Sequence, residues 1–372
     1  MSTIRLRLLV AASFAVLLSA FAPTSALAAP DGATLYTKYC QLCHGGHLEG
    51  YAADNAPSLS SPTFRATAST AFLQAAIERG RAGTAMAGYG KAVGGPLEPA
   101  EVDALIAFIR GGAGAPPALA PKASKGSPTK GANLYVTHCQ TCHGTGEQRG
   151  NAVHLANAMF LASASDAYLR IAITDGRPGT PMEAWKDKLS GAEIEDLIAF
   201  VRSLARAVPP APAVPSPAAA QAPAAIVMNP KGQPPDFPMR LGRYTSVTDV
   251  YRAYEEKRRF ILIVARPTSD YLRAHIPGAI SVPYFDLHDL DKVPNDGTWI
   301  VAYCVCPHEE SGRVLDELRK REYKNTTILD EGFFIWKQQG YPVAVDENQP
   351  PIPAPPAKPE AFVPKPLPSP PH

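Results

Sequence analysis

The chain has 372 residues, 39 prolines and 6 cysteines, a length that divides into two or three ordinary domains. Ten prolines lie between Pro209 and Pro238 and eleven between Pro350 and Pro371, which excludes one continuous core. A mainly disordered chain is excluded by 45% hydrophobic residues with 14 Tyr, 13 Phe and 3 Trp, and six cysteines are too few for a disulfide scaffold.

Residues 1–28 read as a secretory signal. Arg5 and Arg7 give the positive start, Leu8 to Ala22 is apolar, and Ala26 and Ala28 are the small residues before a cleavage at Ala29. The apolar run is shorter than a spanning helix needs, and no later segment is apolar enough, so no membrane span is expected after cleavage. With Arg5 and Arg7 removed, basic and acidic side chains are equal in number, and nothing points to nucleic acid as a partner.

A repeat follows. Gly32-Ala33-Thr34-Leu35-Tyr36 before Cys40-Gln41-Leu42-Cys43-His44 is matched by Gly131-Ala132-Asn133-Leu134-Tyr135 before Cys139-Gln140-Thr141-Cys142-His143 at an offset of 99. Further on, Gly80 to Met86 mirrors Gly176 to Met182 at an offset of 96. Each copy ends in an apolar-periodic helix, near Pro99 to Arg110 and near Ser190 to Arg202, now offset by 92. Glu101 and Asp103, then Glu193 and Glu195, occupy the first turns, where the helix dipole favours acids. The shrinking offset marks diverged duplicates differing by loop deletions. Residues 112–128 read as a linker, and residues 208–238 as a semi-rigid Pro/Ala-rich tether.

From about Met239 to Val345 the rhythm changes. Apolar strands at Phe260 to Val264, Trp299 to Cys304 and Thr326 to Leu329 alternate with helical stretches at Val247 to Lys257, Gly312 to Glu322 and Phe334 to Gln339. That alternation predicts a parallel α/β sheet. Residues 346–372 return to proline and are read as an unstructured tail.

Cys-x-x-Cys-His is the spacing for covalent haem. Two thiols one helical turn apart, Cys40 with Cys43 and Cys139 with Cys142, add to the two vinyl groups, and His44 or His143 faces the iron. A redox dithiol or half a zinc site fits a lone match. Two matches, each followed by the same Gly-x-x-Gly-Thr-x-Met block, favour two haems.

Residues 31–111 and 129–207 resemble two class I cytochrome c domains. The resemblance implies all-α folds, and Met86 and Met182 as distal iron ligands beside His44 and His143. His47, His138 and His154 compete for the distal place, but none recurs in both copies. Tyr36 with Phe108, and Tyr135 with Phe200, match the aromatic contacts where first and last helices cross in that family. A six-coordinate His/Met iron leaves no open site for substrate, which favours an electron carrier over a haem catalyst.

Residues 239–345 resemble the rhodanese family, through Arg266 to Pro283 with its His275-Ile276-Pro277-Gly278-Ala279 core, and through Leu329 to Trp336. The resemblance implies a five-stranded parallel sheet wrapped by helices, with Cys304 in the nucleophile position and Ser311-Gly312-Arg313 opening the next helix. Two features depart from the family pattern. Val264 stands where an aspartate is usual, and the loop from Cys304 to Glu310 is longer and acidic. Acids beside a thiol raise its pKa and repel anions such as thiosulfate.

The expectation is therefore an exported, periplasmic dihaem c-type cytochrome: two all-α cytochrome c domains followed by an α/β rhodanese-like domain with a parallel sheet. Its partners are redox proteins of the periplasm and a small sulfur compound. Cys304 and Cys306 are the one free pair, with three readings open: inert loop residues, a carrier of persulfide or polysulfide sulfur, or a soft-metal site; oxidising a dithiol or persulfide there would release two electrons, one for each haem. The rivals are a sulfurtransferase using the haems as outlet, and a carrier whose rhodanese-like domain only binds partners. A membrane oxidase subunit ranks lower, for want of an internal span.

Overall fold

A computed structural model of the chain describes residues 31–120, 122–205, 225–305 and 308–345. The signal at 1–28, the first part of the tether, the tail at 346–372 and Cys306 lie outside the described residues.

The first repeat is built from α1 (Gly32–Tyr39), α2 (Gln41–His44), α3 (Pro62–Arg65), α4 (Thr70–Arg79) and α5 (Pro99–Ile109), with a 3-10 turn at Lys91–Val93. The second is α6 (Pro128–His138), α7 (Gln140–His143), α8 (Ala158–Ser163), α9 (Asp166–Thr174) and α10 (Gly191–Ser203). In each, the first helix crosses the last at a glycine. A Cβ on Gly32 would sit 2.2 Å from the Ala104 carbonyl oxygen, and one on Gly131 2.0 Å from that of Asp196. The expected aromatic pairs flank these crossings, Tyr36 on Phe108 at 5.2 Å and Tyr135 on Phe200 at 5.0 Å between ring centroids. The last helix of the second repeat is fixed by a capping box, Ser190 with Glu193, which satisfies two otherwise unpaired amides.

The repeats share one core and pack about a pseudo-twofold axis, so that equivalent residues meet. Phe72 stacks on its counterpart Tyr168 at 4.9 Å. Arg81 donates to the Met159 carbonyl at 3.5 Å, and its counterpart Arg177 donates to Thr63 at 3.2 Å, Met159 and Thr63 being equivalent positions. Each of those arginines also lies over a ring of its own repeat, Arg81 over Phe72 and Arg177 over Tyr168.

The segment between the repeats is tied down at its end. The Ser124 amide donates to Asp166 at 2.7 Å, and the Ser127 amide to Asp196 at 2.6 Å, so residues 124–127 belong with the second repeat.

The C-terminal unit is α/β. Its strands are β1 (Tyr244–Thr245), β2 (Phe260–Val264), β3 (Ala274–His275), β4 (Ile280–Ser281), β5 (Trp299–Tyr303), β6 (Thr326–Leu329) and β7 (Ala344–Val345). Its helices are α11 (Val247–Glu255), α12 (Thr268–Arg273), α13 (Glu309–Lys320) and α14 (Gly332–Gln338), with a 3-10 turn at His288–Lys292. The main sheet has the order β1-β6-β5-β2-β4 and is parallel throughout, while β3 and β7 form a small antiparallel ladder. Strand β2 is buried along its whole length, as a strand covered on both faces must be. The fold class expected from the sequence is the one observed. Helix α13 begins at Glu309, three residues before the glycine expected to open it, which draws both acids of the loop into its first turn.

The packing of this unit reaches back into the tether. Phe237 is 4% exposed and sets its ring against Phe260 and Trp299, and Met228 pairs with Phe260 through a backbone bond of 2.9 Å. Residues 226–237 are thus part of the domain, because the sheet needs their apolar side chains to cover it.

Candidate functional site

Each Cys-x-x-Cys-His motif forms a turn of helix that starts at its first cysteine. Cys40 caps α2 and Cys139 caps α7, so both thiols and the histidine project from one turn. Two features repeat in both copies. The tyrosine four residues before the first cysteine pins the residue after the histidine: Tyr36 to the Gly45 carbonyl at 2.6 Å, Tyr135 to the Gly144 carbonyl at 2.8 Å. The histidine ring is then held by a carbonyl, His44 Nδ1 to Pro57 at 2.9 Å and His143 Nδ1 to Val153 at 2.7 Å.

This second contact is the test of whether haem fits. A proton on Nδ1 leaves Nε2 as the lone-pair nitrogen, the tautomer an iron ligand requires. Burial lowers the pKa of both histidines, which keeps them neutral and able to ligate. Burial also pushes the Cys40 thiol up to about 12 and the Cys43 thiol further, as expected of side chains turned into the domain. The residues present fit covalent haem.

The methionines sit in identical loops. Met86 returns its carbonyl to the Arg81 amide at 2.8 Å and its amide to Thr84 Oγ1 at 3.1 Å. Met182 does the same with Arg177 at 2.7 Å and Thr180 at 3.1 Å. Of the competing histidines, His154 gives a ring nitrogen to the Thr145 carbonyl at 2.9 Å, and His138 packs on Trp185 at 5.2 Å.

In the C-terminal unit, Cys304 follows β5 directly and is 1% exposed. Its Sγ lies 3.4 Å from Ser311 Oγ in α13. Glu310, 3% exposed in the first turn of α13, has its carboxyl pushed up to about 8 by burial, against the pull of Arg266 and with the help of Cys304 and Glu309. His308 stands over the Tyr244 ring at 4.2 Å and within 3.4 Å of Asp330.

The face carrying Cys304 is turned toward the first repeat. The fields of Glu310 and Asp54 both reach Cys43. Arg266 donates to the Ala85 carbonyl at 3.0 Å, Ser269 to the Gly88 carbonyl at 2.5 Å, and Tyr284 to the Tyr39 carbonyl at 2.6 Å. Asp54 binds Arg149 of the second repeat at 3.1 Å. Nothing in the sequence separates Ser269, Tyr284, Tyr89 or Asp54 from other polar residues, because each matters only through a partner far along the chain.

Residues 27–109 and 126–201 match the family described as cytochrome c oxidase, cbb3-type, subunit III, and residues 246–339 match the rhodanese-like domain. The chain is two tandem cytochrome c domains with a C-terminal rhodanese-like domain. It is 30% identical over 184 residues to the cbb3-type cytochrome c oxidase subunit FixP of Azorhizobium caulinodans, covering 48% of this chain and 60% of that one. The FixP subunit of a Bradyrhizobium species is 29% identical over 190 residues, covering 48% and 62%. This chain thus spans about three fifths of the length of those curated relatives. A solution structure of a rhodanese-like domain from Anabaena sp. aligns at 20% identity with a TM-score of 0.27, over 36% of this chain and 98% of that one. Among the described residues no helix is long and apolar enough to cross a membrane.

Proposed function

We propose that the protein is an exported dihaem cytochrome that draws electrons from a sulfur species held at the rhodanese-like domain. Cys40 and Cys43 would attach the first haem, with His44 and Met86 as the iron ligands. Cys139, Cys142, His143 and Met182 would do the same for the second. When bound, each haem c supplies a one-electron ferric/ferrous couple with no open coordination place.

The sulfur site is Cys304 with Cys306. Closing a disulfide between them would break two S–H bonds, release two protons and yield two electrons, which the haems would accept one each. Sulfide would then reopen the disulfide: its attack on one sulfur breaks the S–S bond, leaves a persulfide on that cysteine and frees the other as a thiolate, so the sulfide sulfur is oxidised as the disulfide is reduced. The observation that carries this reading is the packing of the rhodanese-like domain on the first cytochrome, through the bonds of Arg266 to Ala85, Ser269 to Gly88 and Tyr284 to Tyr39. A thiol 1% exposed is poorly placed for transfer to free cyanide, which sets the sulfurtransferase reading second. The resemblance of the cytochrome half to oxidase subunits supports a cbb3-type oxidase as the electron acceptor.

The test mixes the ferric protein with inorganic sulfide or polysulfide and follows the visible haem bands. Reduction in the wild type, lost when Cys304→Ser is combined with Cys306→Ser, is the expected result. Equal rates in both proteins overturn the sulfur route. Haem content per chain should be two, falling to one in Cys139→Ala with Cys142→Ala. The amino terminus of the exported protein should be Ala29.

A further inference from the structure

We infer that the rhodanese-like domain is the clamp of the first haem's distal methionine, with Ser269, Arg266 and Tyr284 as positioning residues, and that the second haem has no equivalent hold. The inference rests on Met86 being the axial ligand.

The two methionine loops have the same internal hydrogen bonds, so each loop alone sets the same shape. What differs is what grips them from outside. In the first cytochrome the carbonyls on both sides of Met86 are taken: Ala85 by Arg266 at 3.0 Å, Gly88 by Ser269 at 2.5 Å. The Ala85 amide is held as well, by Asp54 at 3.2 Å. The Ser269–Gly88 bond is out of water and the other two are part-buried, with Arg266 3%, Ser269 4% and Ala87 1% exposed. The buried Gly88 carbonyl has no solvent to replace a lost donor.

A second contact reaches the other side of the same haem site. Tyr284 donates its hydroxyl proton to the Tyr39 carbonyl at 2.6 Å, next to Cys40, and therefore accepts from the Tyr89 hydroxyl at 3.1 Å. Phe285 packs its ring edge-on against Tyr39 at 4.8 Å. One domain thus touches the backbone beside the attachment cysteine and the backbone beside the axial methionine.

The Met182 loop is held differently. Among the described residues its hydrogen bonds to another domain go to the first cytochrome, where Thr63 donates to the Gly176 carbonyl at 2.7 Å and accepts from Arg177. That grip is at the start of the loop, six residues before the methionine. The two haems would therefore carry the same ligand set under unequal constraint, and among the described residues only the first is tied by hydrogen bonds to the domain that bears Cys304.

The clamp is tested in the full-length dihaem protein. Ser269→Ala and Tyr284→Phe each remove hydroxyl bonds without adding bulk, and Ser269→Thr keeps the hydroxyl. The readouts are the long-wavelength ferric band given by an iron–thioether bond and a redox titration resolving two one-electron waves, with Met182→Ala marking the second haem's wave. Expected is loss of one haem's share of the band and a fall of the first wave alone, since a weaker thioether bond favours the reduced iron less. Ser269→Thr should match the wild type. Both waves moving together, or neither moving in the Ser269→Ala, Tyr284→Phe double variant, overturns the clamp. Met86→Ala separates the two claims: if it leaves the band whole, the ligation reading itself fails and the clamp falls with it.

Discussion

The two cytochromes differ most in the loop that follows the haem motif. In the first, the carbonyl partner Pro57 lies thirteen positions after His44; in the second, Val153 lies ten positions after His143. The three extra residues account for the fall of the repeat offset from 99 to 96. Both loops have a positive-φ glycine after the histidine, Gly45 and Gly144, but the longer one adds Gly50 and four non-glycine residues with positive φ, Leu48, Tyr51, Asp54 and Asn55. Left-handed backbone at leucine and tyrosine costs on the order of 1–2 kcal/mol each. It persists because the loop is fixed from both ends, with the Leu59 and Ser60 amides bonded to the Leu48 carbonyl. What the strain yields is reach. Asp54 meets Arg149 of the second cytochrome and the Ala85 amide of the methionine loop. The duplicate is conserved in its haem-holding parts and divergent where the copies meet other domains.

The largest effect expected from breaking this arrangement comes from Phe72→Ala. Phe72 and Tyr168 are 6% and 7% exposed and stack across the pseudo-twofold axis. Truncating a buried aromatic costs roughly 3–5 kcal/mol. Because the ring lies under Arg81 and against Phe160 as well, Phe72→Ala should lower the unfolding midpoint of both cytochromes together, read as simultaneous loss of both haems' visible circular dichroism. Unfolding of the first cytochrome alone would show that the repeats are not one cooperative unit.

Much of this was legible beforehand, and the boundary has a physical cause. Cys40, Cys43, His44 and their copies carry a spacing that one turn of helix imposes, so local chemistry is enough to find them. The parallel sheet showed itself in the continuous apolar run Phe260–Val264, which only a doubly covered strand tolerates. Pro/Ala composition hid the packing of Met228 and Phe237, since a few apolar residues in a proline-rich stretch look the same whether or not a sheet needs them. The junction was hidden altogether. Ser269 and Gly88 are 181 positions apart, and no periodicity within either domain encodes a bond between them.

A second prediction separates the buried acid of the rhodanese loop from the exposed acids elsewhere. Glu310 is held neutral by burial up to about pH 8, whereas in the unfolded chain it ionises near its ordinary 4.5. Between those values the folded protein keeps a proton that the unfolded chain has given up, so Glu310 makes stability fall as pH rises through the window, and the fall ends above about 8. Glu310→Gln removes that slope, worth up to about 1.4 kcal/mol per pH unit. Denaturant melts from pH 5 to 8 should be flatter in the variant. An unchanged slope would mean that the carboxyl finds a charge partner when the haem is bound. Of the groups acting most strongly on it, Arg266 favours ionisation, while Cys304, Glu309 and Asp54 oppose it.

The smallest effect expected is electrostatic and lies between the cytochromes. Arg149 and Asp54 pair at 3.1 Å with side chains 28% and 21% exposed, so water screens part of the attraction. Arg149→Ala should cost only about 1 kcal/mol, and the loss should shrink in high salt. Asp54 keeps its bond from the Ala85 amide in that variant, so the Met86 loop is not released. Asp54→Ala removes both contacts at once. The difference between the two variants therefore isolates the bond to the methionine loop from the bond between domains. If Asp54→Ala shifts the first haem's potential and Arg149→Ala does not, the strained loop serves the first haem directly; equal shifts would assign its role to the contact with the second cytochrome.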